Sequence, residues 1–145
     1  KEIYEIVLNA QKAAIASIKP GVSSNLPHEI ASEIITKGLI KLGIMETPAE
    51  LSKFYMHNTG HWLGLDVHDV GSKLVENKFR EFISGMVTTV EPGIYIRKDD
   101  RIDSKYWGIG IRIEDDVLVT ESGNHVLSEK AIKDIDAIEH FMSEA

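Results

Sequence analysis

The chain has 145 residues, the length of one ordinary domain and enough to bury roughly two thirds of its unfolded surface. It contains no cysteine, so thiol catalysis, cysteine-ligated metals and disulfide frameworks are excluded, and any metal must be held by His, Asp or Glu. With 23 acidic against 16 basic residues, the formal net charge of -7 argues against nucleic acid as a partner, and no apolar run approaches the ~18 residues of a membrane span.

The first part of the chain predicts helices. Apolar residues at steps of three and four between positions 3 and 18 indicate a core-facing helix that ends at Pro20-Gly21. A second helix is indicated by a cap at Ser24 or Asn25 and by apolar periodicity that continues to position 42. A short third helix is expected over about 48–54, with Thr47 as its cap.

From position 57 onward, glycines interrupt apolar and β-branched runs, which predicts strands and loops. Strands are expected at 86–91 and 94–97. The segments 108–114 and 117–120 are predicted to form a hairpin with a tight acidic turn at Asp115-Asp116. A further turn is expected at 121–124, and near-helical spacing predicts a closing helix over 129–142. Helices followed by antiparallel strands favour a single α+β unit over a doubly wound sheet.

Three of the six histidines, His57, His61 and His68, lie within twelve residues. The i, i+4 spacing of the first two is similar to the helical metal pair of zinc proteases, but the glycines around them disfavour a helix. In an extended segment, His61 and His68 would point to opposite faces because their separation is odd. They can therefore share a site only if Gly64 marks a bulge or a bend.

Two carboxylates lie at the ends of predicted strands. Glu91 precedes Pro92, whose ring restricts Glu91 to an extended conformation. Glu114 ends the run 109–114, in which three isoleucines share one face while Arg112 and Glu114 share the other. Each could be a solvated strand end. Together with one imidazole, however, they form a nitrogen and oxygen ligand set that suits Mn, Co, Zn or non-haem Fe, and Arg112 would supply a fixed cation beside it.

These residues lie in three blocks, His57–Gly71, Thr88–Tyr95 and Gly108–Asp116, which follow one another in that order. The blocks together resemble the Xaa-Pro aminopeptidase (aminopeptidase P) family of the pita-bread metallopeptidase superfamily. The resemblance extends over essentially the whole chain. It implies that residues 1–145 form the C-terminal part of a catalytic domain with an incomplete pita-bread fold, in which helices pack on a curved, mainly antiparallel sheet.

The resemblance implies a set of metal ligands. In that family two Asp, one His and two Glu residues hold two divalent metals, usually Mn, with Co or Zn as alternatives. By position, the metal ligands in this chain are His61, Glu91 and Glu114. The two Asp ligands would precede Lys1, and because the sequence begins without Met we interpret it as cut from a longer protein whose N-terminal part is missing. We therefore expect this polypeptide alone to be inactive and to bind metal weakly.

The resemblance also implies a reaction, the hydrolysis of the bond between an N-terminal residue and a following proline. A metal-bridging water would become hydroxide near neutral pH and attack the carbonyl. Glu91 would also act as a general base, His68 would hydrogen-bond the scissile carbonyl, and His57 would line the proline side of the pocket. Arg112 would hold Glu114 and neighbouring groups in place.

Three other interpretations are open. Xaa-Pro dipeptidase (prolidase) shares the ligand set, although Trp62 and the run 106–112 look more like the aminopeptidase. The chain could belong to a non-catalytic pita-bread peptide-binding module, although such a module would not need three converging side chains of the kind that bind metals. The histidines and carboxylates could also be purely structural in an α+β domain.

The expected partners are a peptide substrate with proline in the second position and the missing N-terminal part of the same protein. A homo-oligomer is left open, and neither nucleic acid nor a membrane is expected. The expected location is the cytoplasm.

Overall fold

The structure is a computed structural model that describes residues 1–144. Helices come first along this part of the chain, short antiparallel strands follow, and a helix closes it. The elements are α1 (Glu2–Ser17), α2 (Leu26–Lys41), a 3-10 helix (Pro48–Lys53), β1 (Leu74–Val75), β2 (Lys78–Phe79), β3 (Val87–Val90), β4 (Gly93–Tyr95), a second 3-10 helix (Ser104–Tyr106), β5 (Gly110–Arg112), β6 (Asp115–Val119), β7 (Asn124–Val126) and α3 (Ile135–Ser143).

The two predicted N-terminal helices are confirmed. Ile3, Val7, Ala10 and Ala14 of α1, which repeat at steps of three and four, are buried, as the periodicity requires. The helix α2 lies against α1 with little space between them, since a Cβ at Gly38 would lie 2.7 Å from the side chain of Ile6. The third helix exists but is a 3-10 helix rather than an α-helix, and the Thr47 side chain makes no capping hydrogen bond.

The strands form three small antiparallel sheets in the orders β1-β2, β3-β6-β7 and β4-β5. The core contains buried residues from α1 and from the strands, among them Val90, Ile94 and Val117. The predicted α+β class is confirmed. None of the helices among residues 1–144 combines the length and the apolar character that a bilayer crossing requires.

The predicted hairpin between 108–114 and 117–120 is wrong. The strand β5 pairs with β4, with Ile94 opposite Ile111, whereas β6 pairs with β3, with Val90 opposite Asp115. Asp115 therefore lies inside a strand and not in a turn. It is only 2% exposed, and its burial is possible because Gln11, Ser128 and Lys133 all donate hydrogen bonds to its carboxylate.

Near the C-terminus one prediction is confirmed and two features differ from expectation. The turn at 121–124 is confirmed, with the Thr120 N–H donating to the Gly123 carbonyl at 3.0 Å, and it leads into β7, a strand that the sequence did not predict. The closing helix begins at Ile135 rather than at position 129. Its N-cap is Asp134, whose carboxylate accepts hydrogen bonds from two N–H groups of the first turn.

Candidate metal centre

An extended segment, residues 59–63, runs antiparallel to β3 and places one predicted ligand beside another. The Glu91 N–H donates to the Thr59 carbonyl at 2.6 Å, and the Thr89 N–H donates to the His61 carbonyl at 3.0 Å. Close approach requires a glycine at position 60, because a Cβ there would lie 1.9 Å from the Thr89 carbonyl oxygen. Backbone pairing therefore fixes the separation of His61 and Glu91.

Three predicted ligands converge at this place. His61, Glu91 and Glu114 each offer one ligand atom, and these atoms all lie within 4.8 Å of one another. His61 Nε2 is 3.3 Å from Glu91 Oε1. His61 Nδ1 lies 3.0 Å from the Trp62 carbonyl, which only accepts, so in the neutral imidazole Nδ1 carries the proton and Nε2 keeps its lone pair. These three residues therefore form a group that could hold a metal ion.

Electrostatics at the group also favour a cation. Partial desolvation raises the pKa of Glu114, although much of its side chain is exposed, and the carboxylates of Glu91 and Asp116 raise it further. Glu91 is buried, at 8% exposed. An imidazole nitrogen and carboxylate oxygens form a donor set that a hard divalent cation fits, and a bound cation would relieve the repulsion between the carboxylates.

Arg112 and His57 join the group through Tyr95, a residue that the sequence did not single out. Arg112 Nη1 lies 3.3 Å from Glu91 Oε2, and Arg112 Nε donates to the Tyr95 hydroxyl at 2.8 Å. The same hydroxyl is 3.0 Å from His57 Nε2. Arg112 was expected to hold Glu114 and neighbouring groups. It pairs with Glu91, and no Arg112–Glu114 ion pair occurs within residues 1–144.

The loop after His61 bends back toward the site, as the odd separation of His61 and His68 required. The Asp69 N–H donates to the Trp62 carbonyl at 3.1 Å, which closes the loop. The Asp69 carboxylate packs against Gly64, where an added Cβ would lie 1.9 Å from Oδ2 and would displace that side chain. The ring centroids of His61 and His68 are 4.4 Å apart, and the two rings meet edge to face. All six predicted site residues therefore lie in one connected group.

A buried polar cluster beneath the loop 57–61 was also missed by the sequence analysis. The Thr59 hydroxyl lies 2.5 Å from the Tyr55 hydroxyl and 3.0 Å from His28 Nδ1. Burial raises the pKa of Tyr55 to about 12, so this phenol stays protonated at neutral pH. The Tyr55 ring meets His57 edge to face at 5.1 Å and supports that imidazole from below.

A match to a known family identifies the class of protein to which the chain belongs. The profile of Metallopeptidase family M24 matches residues 1–121, which is most of the chain. The chain therefore belongs to metallopeptidase family M24.

Individual relatives are named more specifically. The chain is 47% identical over 150 residues to a Xaa-Pro aminopeptidase of Haemophilus influenzae and 41% identical over 152 residues to one of Escherichia coli K12. These matches cover 99% and 98% of this chain but only 35% and 34% of the relatives. The chain thus spans about a third of the length of the curated relatives it matches.

Solved structures give the same result for the fold. The aminopeptidase PepP of Pseudomonas aeruginosa matches with a TM-score of 0.94 at 47% identity. Aminopeptidase P of Escherichia coli with the inhibitor Pro-Leu matches with a TM-score of 0.91 at 42% identity. Each match covers 99% of this chain and 34% of the other. The predicted pita-bread fold is confirmed, in partial form, with sheets that do not close within residues 1–144.

Proposed function

We propose that the full-length protein containing this chain is a metal-dependent aminopeptidase that hydrolyses the bond between an N-terminal residue and a following proline. Residues 1–145 would form the C-terminal part of its catalytic domain. The observation that carries this proposal is the convergence of His61, Glu91 and Glu114 within 4.8 Å, in a chain that belongs to a metallopeptidase family.

The residues present fit part of a divalent metal site. His61 Nε2 and the carboxylates of Glu91 and Glu114 would be ligands, and carboxylates upstream of this chain would complete the set. When bound, divalent cations would lower the pKa of water toward 7 and polarise the scissile carbonyl. Manganese as the metal and the cytoplasm as the location are further parts of this proposal that rest on the sequence resemblance.

The remaining roles are those that the resemblance implies, and the contacts of the side chains support them. The Glu91 carboxylate would accept the proton of the attacking water, and Arg112 would keep that carboxylate oriented through its contact with Oε2. His68, at the ring of His61, would donate a hydrogen bond to the carbonyl oxygen as negative charge develops. His57, held by the Tyr95 hydroxyl, would border the proline ring.

The test measures turnover by the full-length protein supplied with Mn²⁺. A tripeptide with proline in second position should be cleaved with a higher kcat/KM than the corresponding Xaa-Pro dipeptide. Glu91→Gln should lower kcat by about 10²–10⁴-fold, because the amide is a poor proton acceptor and a poor ligand. The matched control is Glu121→Gln on the exposed turn before β7, which makes the same change of charge and should leave kcat unchanged.

Two outcomes would contradict this proposal and favour another interpretation. A preference for the dipeptide would favour prolidase. Binding of the tripeptide without any turnover, unchanged by Glu91→Gln, would favour a non-catalytic peptide-binding module.

A further inference from the structure

Two adjacent threonines contact the backbone of His61. The Thr88 hydroxyl donates to the His61 carbonyl at 2.9 Å, and the Thr89 hydroxyl lies 3.0 Å from the His61 N–H. Both threonines are buried. The His61 carbonyl has a second donor, the Thr89 N–H, so it keeps a partner even without Thr88. The two hydroxyls differ in what else they contact.

Proton counting fixes the role of the Thr89 hydroxyl. A backbone N–H can only donate, so Thr89 Oγ1 accepts from His61. The one hydroxyl proton is then available for Glu91 Oε1, which lies 2.9 Å away. Thr89 is 3% exposed and Glu91 is 8% exposed, so water has little access to compete for either atom. A single side chain therefore connects the segment that carries one predicted ligand to the carboxylate of another.

The same contact orients the Glu91 carboxylate. Oε1, which accepts from Thr89, is also the oxygen that lies 3.3 Å from His61 Nε2. Oε2 is turned the other way, toward Arg112 Nη1 at 3.3 Å. With one oxygen held by Thr89 and the other by Arg112, rotation about the last bond of Glu91 is restricted. Oε1 thus stays beside His61 Nε2 with further acceptor capacity.

We infer that Thr89 is a positioning residue that sets the separation and orientation of His61 and Glu91 for a divalent cation. The inference rests on the proposed function, because it assumes that these two residues bind metal. Thr89 is not one of the three proposed ligands. It acts through the hydrogen bonds to the His61 N–H and to Glu91 Oε1.

The experiment compares hydroxyl-deleting variants of the full-length protein. Thr89→Val keeps the side-chain shape and should weaken Mn²⁺ binding by about 10–100-fold in calorimetric titration. It should also change the visible absorption spectrum of bound Co²⁺, a readout of ligand geometry that a purely structural role would leave unaltered. Thr88→Val is the matched control and should stay within about threefold of wild type, because the His61 carbonyl retains a donor. Thr89→Ser retains the hydroxyl and should bind Mn²⁺ about as well as wild type.

The possible outcomes separate this inference from the proposed function. Wild-type protein that binds Mn²⁺ and turns over substrate, with a Thr89→Val variant of equal affinity and an unchanged Co²⁺ spectrum, would overturn the inference alone. Wild-type protein that binds no Mn²⁺ would overturn both. Equal losses in Thr88→Val and Thr89→Val would also count against a specific role. If Thr89→Val does not fold, Thr89→Ser, which keeps the hydroxyl, is compared with Thr89→Ala, which lacks it.

Discussion

His57 and His61 are each bound through Nδ1 to a backbone carbonyl. His57 Nδ1 donates to the carbonyl of Asn58 at 2.8 Å, and His61 Nδ1 donates to that of Trp62 at 3.0 Å. In the neutral state both rings therefore have the same tautomer and present an unprotonated Nε2. The difference lies at that atom, since His57 Nε2 accepts from the Tyr95 hydroxyl whereas His61 Nε2 faces Glu91. The same residue type thus serves substrate contact in one case and metal binding in the other under the proposed function.

Gly60 gives a prediction at the scale of one residue. In Gly60→Ala the new Cβ would lie 1.9 Å from the Thr89 carbonyl oxygen, a backbone atom that cannot move aside without opening the pairing with β3. We expect the segment 59–63 to shift and Mn²⁺ affinity of the full-length protein to fall by at least about tenfold, as for loss of a contact that orients a ligand. Calorimetric titration with Mn²⁺ measures the change.

The control for this substitution is Gly123→Ala. A Cβ at Gly123 has no heavy atom within 4 Å, so the same added methyl group should leave metal affinity unchanged. Wild-type affinity in Gly60→Ala would show that the close approach of segment 59–63 to β3 is not needed for the centre.

For single residues, the sequence indicates the candidate ligands better than it indicates the side chains that position them. The resemblance supplied His61, Glu91 and Glu114, and the odd separation of His61 and His68 correctly required a bend. Thr89 carried a usable signal, because residues two apart in a strand share a face and Thr89 precedes Glu91 by two. Tyr95 carried none, since its contact with Arg112 depends on the pairing of β4 with β5.

Among the elements, β6 connects the centre to the rest of the fold. Its first residue, Asp115, follows Glu114 directly, so strand alternation sends Glu114 toward the site and Asp115 into the core. There the Asp115 carboxylate accepts from Gln11 of α1, from Ser128 and from Lys133, whose ammonium lies 2.8 Å away. One buried anion thus joins α1, β6 and the segment before α3.

Asp115→Asn should destabilise the protein. The substitution removes the charge that compensates the largely buried Lys133 ammonium, and removing one partner of a buried ion pair costs about 3 kcal/mol in the free energy of unfolding. Urea unfolding of the full-length protein, followed by far-ultraviolet circular dichroism, measures the loss.

Asp116→Asn is the matched control on the neighbouring position of β6. The Asp116 side chain takes part in no ion pair within residues 1–144, so its neutralisation should change the free energy of unfolding by less than about 0.5 kcal/mol. Equal stability in the two variants would mean that the Asp115 network contributes nothing.

The hydrogen bonds of Asp115 also explain why the sequence predicted a turn where β6 begins. Two adjacent aspartates between apolar runs are typical of a turn, because an unpaired carboxylate is costly to bury. Asp115 escapes that cost through partners at positions 11 and 133, and no local pattern reveals such distant partners. The periodicity of α1, by contrast, is a local signal and was sufficient to predict that helix.

On the scale of the whole molecule, the centre lies where three separate pieces of chain meet. Residues 59–63 contribute His61, the end of β3 leads to Glu91, and the link from β5 to β6 holds Glu114. These three contribute a single imidazole and two carboxylates. A pair of divalent cations requires more ligands than that, which is consistent with a chain that spans about a third of the length of its relatives.

Metal binding by residues 1–145 alone should therefore be much weaker than by the full-length protein. Because affinity rises with the number of anionic ligands, we expect the isolated chain to bind Mn²⁺ at least about 100-fold more weakly and to show no turnover of a tripeptide with proline in second position. Circular dichroism of the isolated chain first establishes its helical content, and calorimetric titration then measures affinity and stoichiometry. Any residual binding should disappear in His61→Ala and persist in His125→Ala, which removes an exposed imidazole from β7. Two tight Mn²⁺ sites on the isolated chain would contradict the proposal that further ligands come from outside it.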